Sequence, residues 1–424
     1  MGRGWGPSIV RPFLLFWLSG LALLIAGLPA LLRTGQADPR SWTPFALLIL
    51  GAAAYVACAP RSFIIGRPPL RSMVKGAWLA GSAGVVPLLC WLAAGRSPAI
   101  WPVILLLSPV LLGVCAAMLF RARRLLAAVL CLAAALTLWR VGEARPLASE
   151  TTSPAKLAVI TALPLFWREG PTLPGNRVDA PIIGLLRLRF DVRPLDSPLD
   201  PALARIDRLL IAQPRAMAPE ALVAIDDWVR RGGRAVILAD PLLRWPSPLP
   251  VGDRRRAPPA SALTPLLAHW GLYFGESPTM DERRLPVRGG AVMTLLGTAP
   301  LVIRGTGCTR FADGFAARCA IGRGTVTVVA DADMIDDRLW LADPADPRDP
   351  RQWSADTPAL IAAWLGATLP GDRRWVRSAA DLEKGVRLAV LAGLFWAALG
   401  ALLLHARPIG FRSGPTRLRP KSNE

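Results

Sequence analysis

Apolar residues are not spread evenly along this chain. Before Arg145 and again after Glu383 they gather in long blocks, whereas between those limits short apolar runs alternate with polar turns, as in a globular domain. Crossing the hydrocarbon of a bilayer takes about 20 apolar residues. Five stretches ahead of the middle region read as spans, at 12–32, 42–60, 76–94, 100–120 and 125–139, and a sixth covers 386–406. The fifth is short, but Arg124 and Arg140 bound it and both side chains can snorkel. The first is longer than the roughly 7–15-residue core of a signal peptide and reads as a span. The expected organisation is a membrane domain over 1–145, an α/β domain outside the cytoplasm over 146–383, a last span at 384–406 and a basic cytoplasmic tail at 407–424.

In the middle region, 156–161 (KLAVIT), 190–193, 208–212 (RLLIA) and 234–239 (RAVILA) read as strands, each stopped by Pro or an Asp-Pro pair. Pro219 opens a helix at its first position, Leu222, Ile225, Trp228 and Val229 share one face, and Gly232-Gly233 ends it. Strands separated by helices in this rhythm imply a mostly parallel, layered sheet. Further on, 261–270 reads as a short helix stopped by Gly271, 290–320 as antiparallel strands, 322–331 as a tight turn and a central strand, 343–356 as a loop, and 357–365 as a helix.

Composition adds orientation. The chain is 53% hydrophobic with a formal charge of +20, yet residues 144–380 carry 30 Lys/Arg against 25 Asp/Glu. Most of the excess therefore lies in short connections between apolar blocks, not on a folded basic face, which excludes nucleic acid as the partner. Arg3, Arg11, Arg61, Arg67, Arg71, Lys75, Arg121, Arg123, Arg124, Arg407, Arg412, Arg417, Arg419 and Lys421 fall on one side, against Arg33, Arg40 and Arg96 on the other. By the positive-inside rule both termini are cytoplasmic, and the middle domain is periplasmic if the source is Gram-negative, the protein being multi-pass in the inner membrane. Lys384 and Arg387 oppose this, offset by Asp381 and Glu383. Cys58, Cys90, Cys115 and Cys131 fall in apolar stretches, where a small buried thiol is the plain reading. Cys308 and Cys319 flank a segment that reads as a hairpin tip, a candidate disulfide in an oxidising compartment or else two free thiols.

The run QPRAMAPEALVAIDDWVRRGGRAVILADP at 213–241 resembles a segment of GldG-like proteins, the auxiliary components of gliding-motility type ABC transport systems, and of bacterial membrane proteins with a DUF4350-type domain. The run GRGTVTVVADADMIDD at 322–337 is similar to their late glycine turn, strand and Asp-x-Asp element. The resemblance implies a class I glutamine-amidotransferase-like or flavodoxin-like α/β domain, tethered outside the membrane, that works beside an ABC permease and ATPase.

Chemistry is scarce. An amidotransferase needs a nucleophile on the strained turn after its central strand, with a His partner. Here 208–212 runs into Gln213-Pro214-Arg215, and the domain's one histidine, His269, sits on a helix beside Trp270, a packing or surface position. Two histidines in the chain assemble no zinc cluster, and no cofactor is expected. Asp331, Asp333, Asp336 and Asp337 offer oxygens to a hard cation, but the blander reading makes them caps facing water at a strand end and helix start. The chain has no phosphate loop, so it is not itself a transport ATPase. In an open parallel sheet ligands bind outside the carboxyl ends of the strands. That edge makes Pro164, Gln213, Arg215, Asp240, Asp331 and Asp333 the candidate ligand-binding residues, unless they are only fold-defining turns. The leading functional reading is a non-catalytic accessory component of an ABC-type system. A stand-alone envelope scaffold and a degenerate envelope hydrolase are the alternatives.

Overall fold

The computed structural model describes residues 7–57, 70–142, 147–148, 154–167, 169, 178–276, 280–287, 289–371 and 373–405. Cys58, the basic connection at 58–69 and the tail at 407–424 lie outside the described residues. In chain order come helices α1 (Pro7–Thr34), α2 (Thr43–Ala57), α3 (Leu70–Gly81), α4 (Val85–Ala94), α5 (Ile100–Arg121) and α6 (Leu125–Gly142). Then follow β1 (Ala155–Thr161), α7 (Pro181–Leu186), β2 (Phe190–Pro194), β3 (Arg208–Ala212), α8 (Pro219–Arg230), β4 (Arg234–Leu238), α9 (Thr264–His269) and β5 (Leu272–Phe274). The rest is β6 (Glu282–Pro286), β7 (Val292–Leu296), β8 (Leu301–Ile303), β9 (Cys308–Phe311), β10 (Ala316–Ile321), β11 (Gly324–Val329), α10 (Asp337–Trp340), α11 (Thr357–Trp364) and α12 (Ala379–His405).

These elements form two compact units. The helical unit holds α2 to α6, α12 and most of α1. Among the described residues, six helical stretches are long and apolar enough to cross a membrane, namely Ile9–Thr34, Pro39–Ala57, Ser72–Ala94, Ile100–Arg121, Leu125–Gly142 and Ala379–His405. The chain is thus built as a multi-pass membrane protein. The third stretch is α3 and α4 joined by a 3-10 turn at Ser82–Gly84. Within this unit α12 buries Gly385, Ala389, Gly393, Ala397, Gly400 and Ala401, the small residues that let helices approach closely where the surroundings are as apolar as the side chains. Trp78 of α3 and Trp396 of α12 stack with centroids 4.0 Å apart. Each indole N–H donates to the other residue's carbonyl oxygen, at 2.9 and 3.0 Å. A methyl group on Gly400 would sit 2.1 Å from the Trp78 indole, so this contact requires glycine.

The α/β unit is organised by a seven-stranded sheet in the order β2-β1-β3-β4-β11-β10-β9. The first five of these run parallel, while β10 and β9 add an antiparallel end. The strands are buried on both faces, which is why they read as short continuous apolar runs. Leu157, Val159, Leu210, Val236 and Val329 face one core with α7, α11, Trp340 and Trp353. Ala158, Ile160, Leu209, Ile211, Ile237 and Val328 face the other, against Ile225, Trp228 and Val229 of α8 and Leu266 and Leu267 of α9. The turn from β10 to β11 passes so close to α8 that a methyl group on Gly324 would meet the Val229 carbonyl oxygen at 2.1 Å. Between β4 and β11 the chain forms two small antiparallel pairs, β5 with β8 and β6 with β7. Cys308 and Cys319 are cross-strand neighbours in the β9–β10 hairpin and are joined by a disulfide.

Residues 30–37, at the end of α1, group with the α/β unit. Gln36 bridges to Trp375 and its amide donates to the carbonyls of Pro350 and Trp353, at 2.9 and 2.7 Å. Beneath this segment Asp356 accepts from Arg373 at 2.8 Å, from the Trp375 indole and from the Val292 N–H. The Arg373 guanidinium lies 4.3 Å over the Trp353 ring. Asp356 is fully buried and the Arg373 side chain is 10% exposed, so deleting one partner strands a charge in the interior. We expect Asp356→Ala to destabilise the α/β unit by about 3–5 kcal/mol, read as earlier thermal unfolding of the full chain in detergent.

Candidate functional site

The carboxyl ends of β1, β3, β4 and β11 lie side by side, and the order of the strands reverses between β1 and β3. Gln213, the residue after β3, has a left-handed backbone (φ 43°), which is uncommon for a residue with a side chain. The turn is held by its main chain, whose N–H donates to the Leu238 carbonyl at 3.0 Å and whose carbonyl accepts from the Ala162 N–H at 3.2 Å. The buried side-chain amide completes the closure. Its oxygen accepts from the Asp240 N–H at 3.0 Å, and its NH2 donates to the carbonyls of Pro258 at 3.0 Å and Asp240 at 3.3 Å.

Asp240 follows β4, and Asp331 and Asp333 follow β11. Each offers a carboxylate oxygen within 4.8 Å of the other two, and all three residues are fully buried. Five of the six oxygens accept a backbone N–H. Asp240 takes Leu242 at 2.7 Å and Ala332 at 2.9 Å. Asp331 takes Met334 at 2.8 Å and Leu296, and Asp333 takes Arg244 at 2.6 Å. The sixth, Oδ1 of Asp333, is buried without a hydrogen-bond partner.

Burial is the main reason these acids hold their protons unusually tightly. Asp240 is pushed up to about 6 by burial, against the pull of the Ala332 and Leu242 N–H groups. Asp333 is pushed up to about 8 by burial and then by the charge of Asp240. Asp331 is raised well above the ordinary range by burial and by both neighbouring carboxylates. The spacing meets the distance requirement for a cation, but the five N–H dipoles aimed at the carboxyl groups favour negative charge, working against the proton that burial retains, and are not the oxygen-rich shell a hard cation takes.

The expectation that the Asp331–Asp337 acids face water is corrected by this burial. Asp331, Asp333 and Asp336 are buried and Asp337 is half-buried. Asp336 caps α10, accepting the Arg338 N–H at 3.0 Å and pairing with the Arg338 guanidinium at 2.6 Å. The member that sequence reasoning left out of the acidic group is Asp240. The available signal was positional, since an Asp follows each of two strands that prove to be parallel neighbours.

The edge is covered. Residues 241–261 fold over it, tied by the Ser261 N–H to the Asp240 carbonyl at 2.7 Å, by the Leu243 N–H to the Pro259 carbonyl at 2.9 Å, and by Gln213 to Pro258. Arg215 is exposed, and its guanidinium donates to the Arg255 carbonyl at 3.3 Å. The Arg255 side-chain and backbone donors, with Arg215 more weakly, draw Asp253 down to about 2. Pro164 lies in the turn after β1, where it contributes no N–H. The structure therefore brings Gln213, Asp240, Asp331 and Asp333 into one hydrogen-bonded closure and leaves Arg215 on the surface above it. His269 is exposed, 3.3 Å from the Arg230 guanidinium and 3.5 Å from Asp226, on the α8–α9 side.

Residues 155–292 match the family model described as an ABC-type uncharacterized transport system. The match takes in β1 to β4, with Gln213 and Asp240, and stops short of Asp331 and Asp333. No curated protein matches the sequence. Among solved structures the chain is similar to the exo-β-1,4-mannosidase Op5Man5 of Opitutaceae bacterium strain TAV5, at 15% identity and TM-score 0.33, covering 57% of this chain and 39% of that one. It is similar too to a cold-adapted β-galactosidase of Rahnella sp. R3, at 15% identity and TM-score 0.30, covering 58% and 35%. A β-galactosidase of Bacillus circulans sp. alkalophilus gives 14% identity and TM-score 0.27, covering 52% and 34%. At these scores the likenesses define neither the fold nor a reaction, and the chain spans well under half of each enzyme.

Gln213→Ala removes three hydrogen bonds and leaves the Pro258 carbonyl and the Asp240 N–H unpaired. We expect it to cost about 2–3 kcal/mol and to speed amide exchange at 239–243 and 258–261, measured by hydrogen-exchange mass spectrometry.

Proposed function

We propose that the protein is a non-catalytic accessory component of an ABC-type transport system, anchored by its six apolar helices. Its α/β unit lies outside the cytoplasm, in the periplasm of a Gram-negative cell, and binds a partner or ligand. The observation that carries this reading is the match of residues 155–292 to a transport-system family, in a chain whose described residues include six membrane-length helical stretches. The strand order of the five parallel strands, second, first, third, fourth and last, is the doubly wound flavodoxin-like order. It supports the amidotransferase-like fold class. The left-handed turn after β3 is where such a fold would present a nucleophile, and Gln213 spends its side chain on structural hydrogen bonds there. That supports binding rather than hydrolysis as the unit's work. The Cys308–Cys319 disulfide and the charge bias of the short loops support the external placement.

The surface proposed for the partner is the cover over the sheet edge. Arg215, Arg244, Arg254 and Arg255 are exposed there, and Val251 at its tip is 86% exposed. The partners proposed are the permease and ATPase subunits of the system, the permease reached in the membrane and the ATPase through it. Affinity purification from mild detergent, with mass spectrometry of what accompanies the protein, tests this. An ABC ATPase and permease in fixed ratio is the expected result, and recovery alone or with envelope enzymes only replaces the reading with a scaffold. Topology is checked separately. A phosphatase reporter that works only outside the cytoplasm should be active when fused at residue 148 and inactive when fused after residue 424.

A further inference from the structure

Three carboxyl groups packed within 4.8 Å of one another and fully buried cannot all be ionised without a counter-charge. Among the described residues, the charged groups that face the cluster are few. The acids are Asp240, Asp331 and Asp333 themselves, with Asp336 beyond Asp333. The cation is Arg338, already paired with Asp336 at 2.6 Å. From the covering segment Arg244 contributes its backbone N–H, from β7 comes the Leu296 N–H, and Gln213 meets Asp240 only through the main chain. No cationic side chain is hydrogen-bonded to any of the three carboxylates among the described residues. Five of their six oxygens have N–H donors, and the sixth, on Asp333, has none. A proton shared between Oδ1 of Asp333 and a neighbouring carboxylate supplies the missing partner and lowers the buried charge in the same step.

We propose that Asp240, Asp331 and Asp333 form a proton-held latch on the start of the 241–261 cover, and that loss of the proton releases this cover from the sheet edge. The carboxyl groups grip the cover directly, Asp240 through the Leu242 N–H and Asp333 through the Arg244 N–H. They are anchored in turn to the end of β11 through Ala332 and Met334 and to the end of β7 through Leu296. When the proton leaves, like charges in a dry site repel, and the least costly relief is to admit water by moving the segment that does not belong to the sheet. A domain outside the cytoplasm meets the pH of the surroundings, so the edge would be sealed in acid and neutral conditions and loosened in alkaline ones.

The sign follows from the raised affinity. The folded cluster holds a proton more tightly than the unfolded chain, whose aspartates titrate near an ordinary value of about 3.9. The stabilisation is complete below that value and is lost as pH climbs, through about 6 for Asp240 and about 8 for Asp333.

The experiment uses the full chain in detergent micelles and reads amide exchange of peptides within 241–261, corrected for the intrinsic pH dependence, from pH 5 to 9. The opening equilibrium should grow with pH, by up to about tenfold per unit for one proton. In Asp333→Asn, whose amide donates as the protonated acid does, the dependence should fall by one proton. A flat profile in the wild-type chain, or an unchanged slope in Asp333→Asn, overturns the proposal. So does slowing of exchange by calcium or magnesium chloride in the wild-type chain and not in the variant, which would put a cation where the proton is proposed. Should the variant fail to fold, infrared spectroscopy of the wild-type protein decides. A carboxylic acid carbonyl band present at pH 7 and lost by pH 9 upholds the latch, and its absence at pH 7 refutes it.

Discussion

The α/β unit depends on how four parallel strands are finished at their carboxyl ends. Strands buried on both faces leave backbone groups at their tips that water cannot reach, and these must be paired. Here the pairing is done by side chains, with the Gln213 amide closing β3 onto the turn after β4 and three aspartates collecting five backbone N–H groups from three segments. The cover at 241–261, the end of β7 and the turn after β11 all converge on this closure. Its polar atoms are consumed in holding the fold, and among the described residues the one buried side-chain atom of this closure without a hydrogen-bond partner is Oδ1 of Asp333.

On the proposed reading a partner meets the surface of this cover, where exposed arginines surround Val251. The second polar centre, Asp356 with Arg373, Trp375 and Trp353, fastens residues 30–37 to the same unit, so the end of the first apolar helix and the chain just after it are built into it. The helical unit relies on a different device, small residues along α12 and a reciprocal pair of tryptophans, as suits helices that share apolar surroundings.

Much of this was legible in the sequence, for identifiable reasons. The spans announced themselves by length, and the parallel strands by continuous apolar runs cut off by Pro or Asp-Pro. Pro219 and Gly232 bounded α8 because each has a conformational role that few other residues fill. The strands β5 and β6 went unread, β5 because three residues are too few to show a period and β6 because its five residues (ERRLP) are mostly polar. Gln213, Asp240, Asp331 and Asp333 could be placed at one edge from strand order alone. That they are buried, and gathered by the segment after β4, could not, because burial of a carboxylate depends on donors from Leu242, Arg244 and Leu296 whose approach no local pattern encodes. The Asp356–Arg373 pair was invisible for the same reason, as was the placement of Gln36 beside Trp375.

The central claim is that the α/β unit acts by docking through the cover over its sheet edge. A photo-crosslinking amino acid placed at Val251 or at Arg215 in living cells tests this most directly, with His269, on the α8–α9 side, as the control position. The account predicts an adduct with a subunit of an ABC transport system at both cover positions and none at residue 269. Adducts at residue 269 alone, or adducts at the cover only with unrelated envelope enzymes, would contradict it.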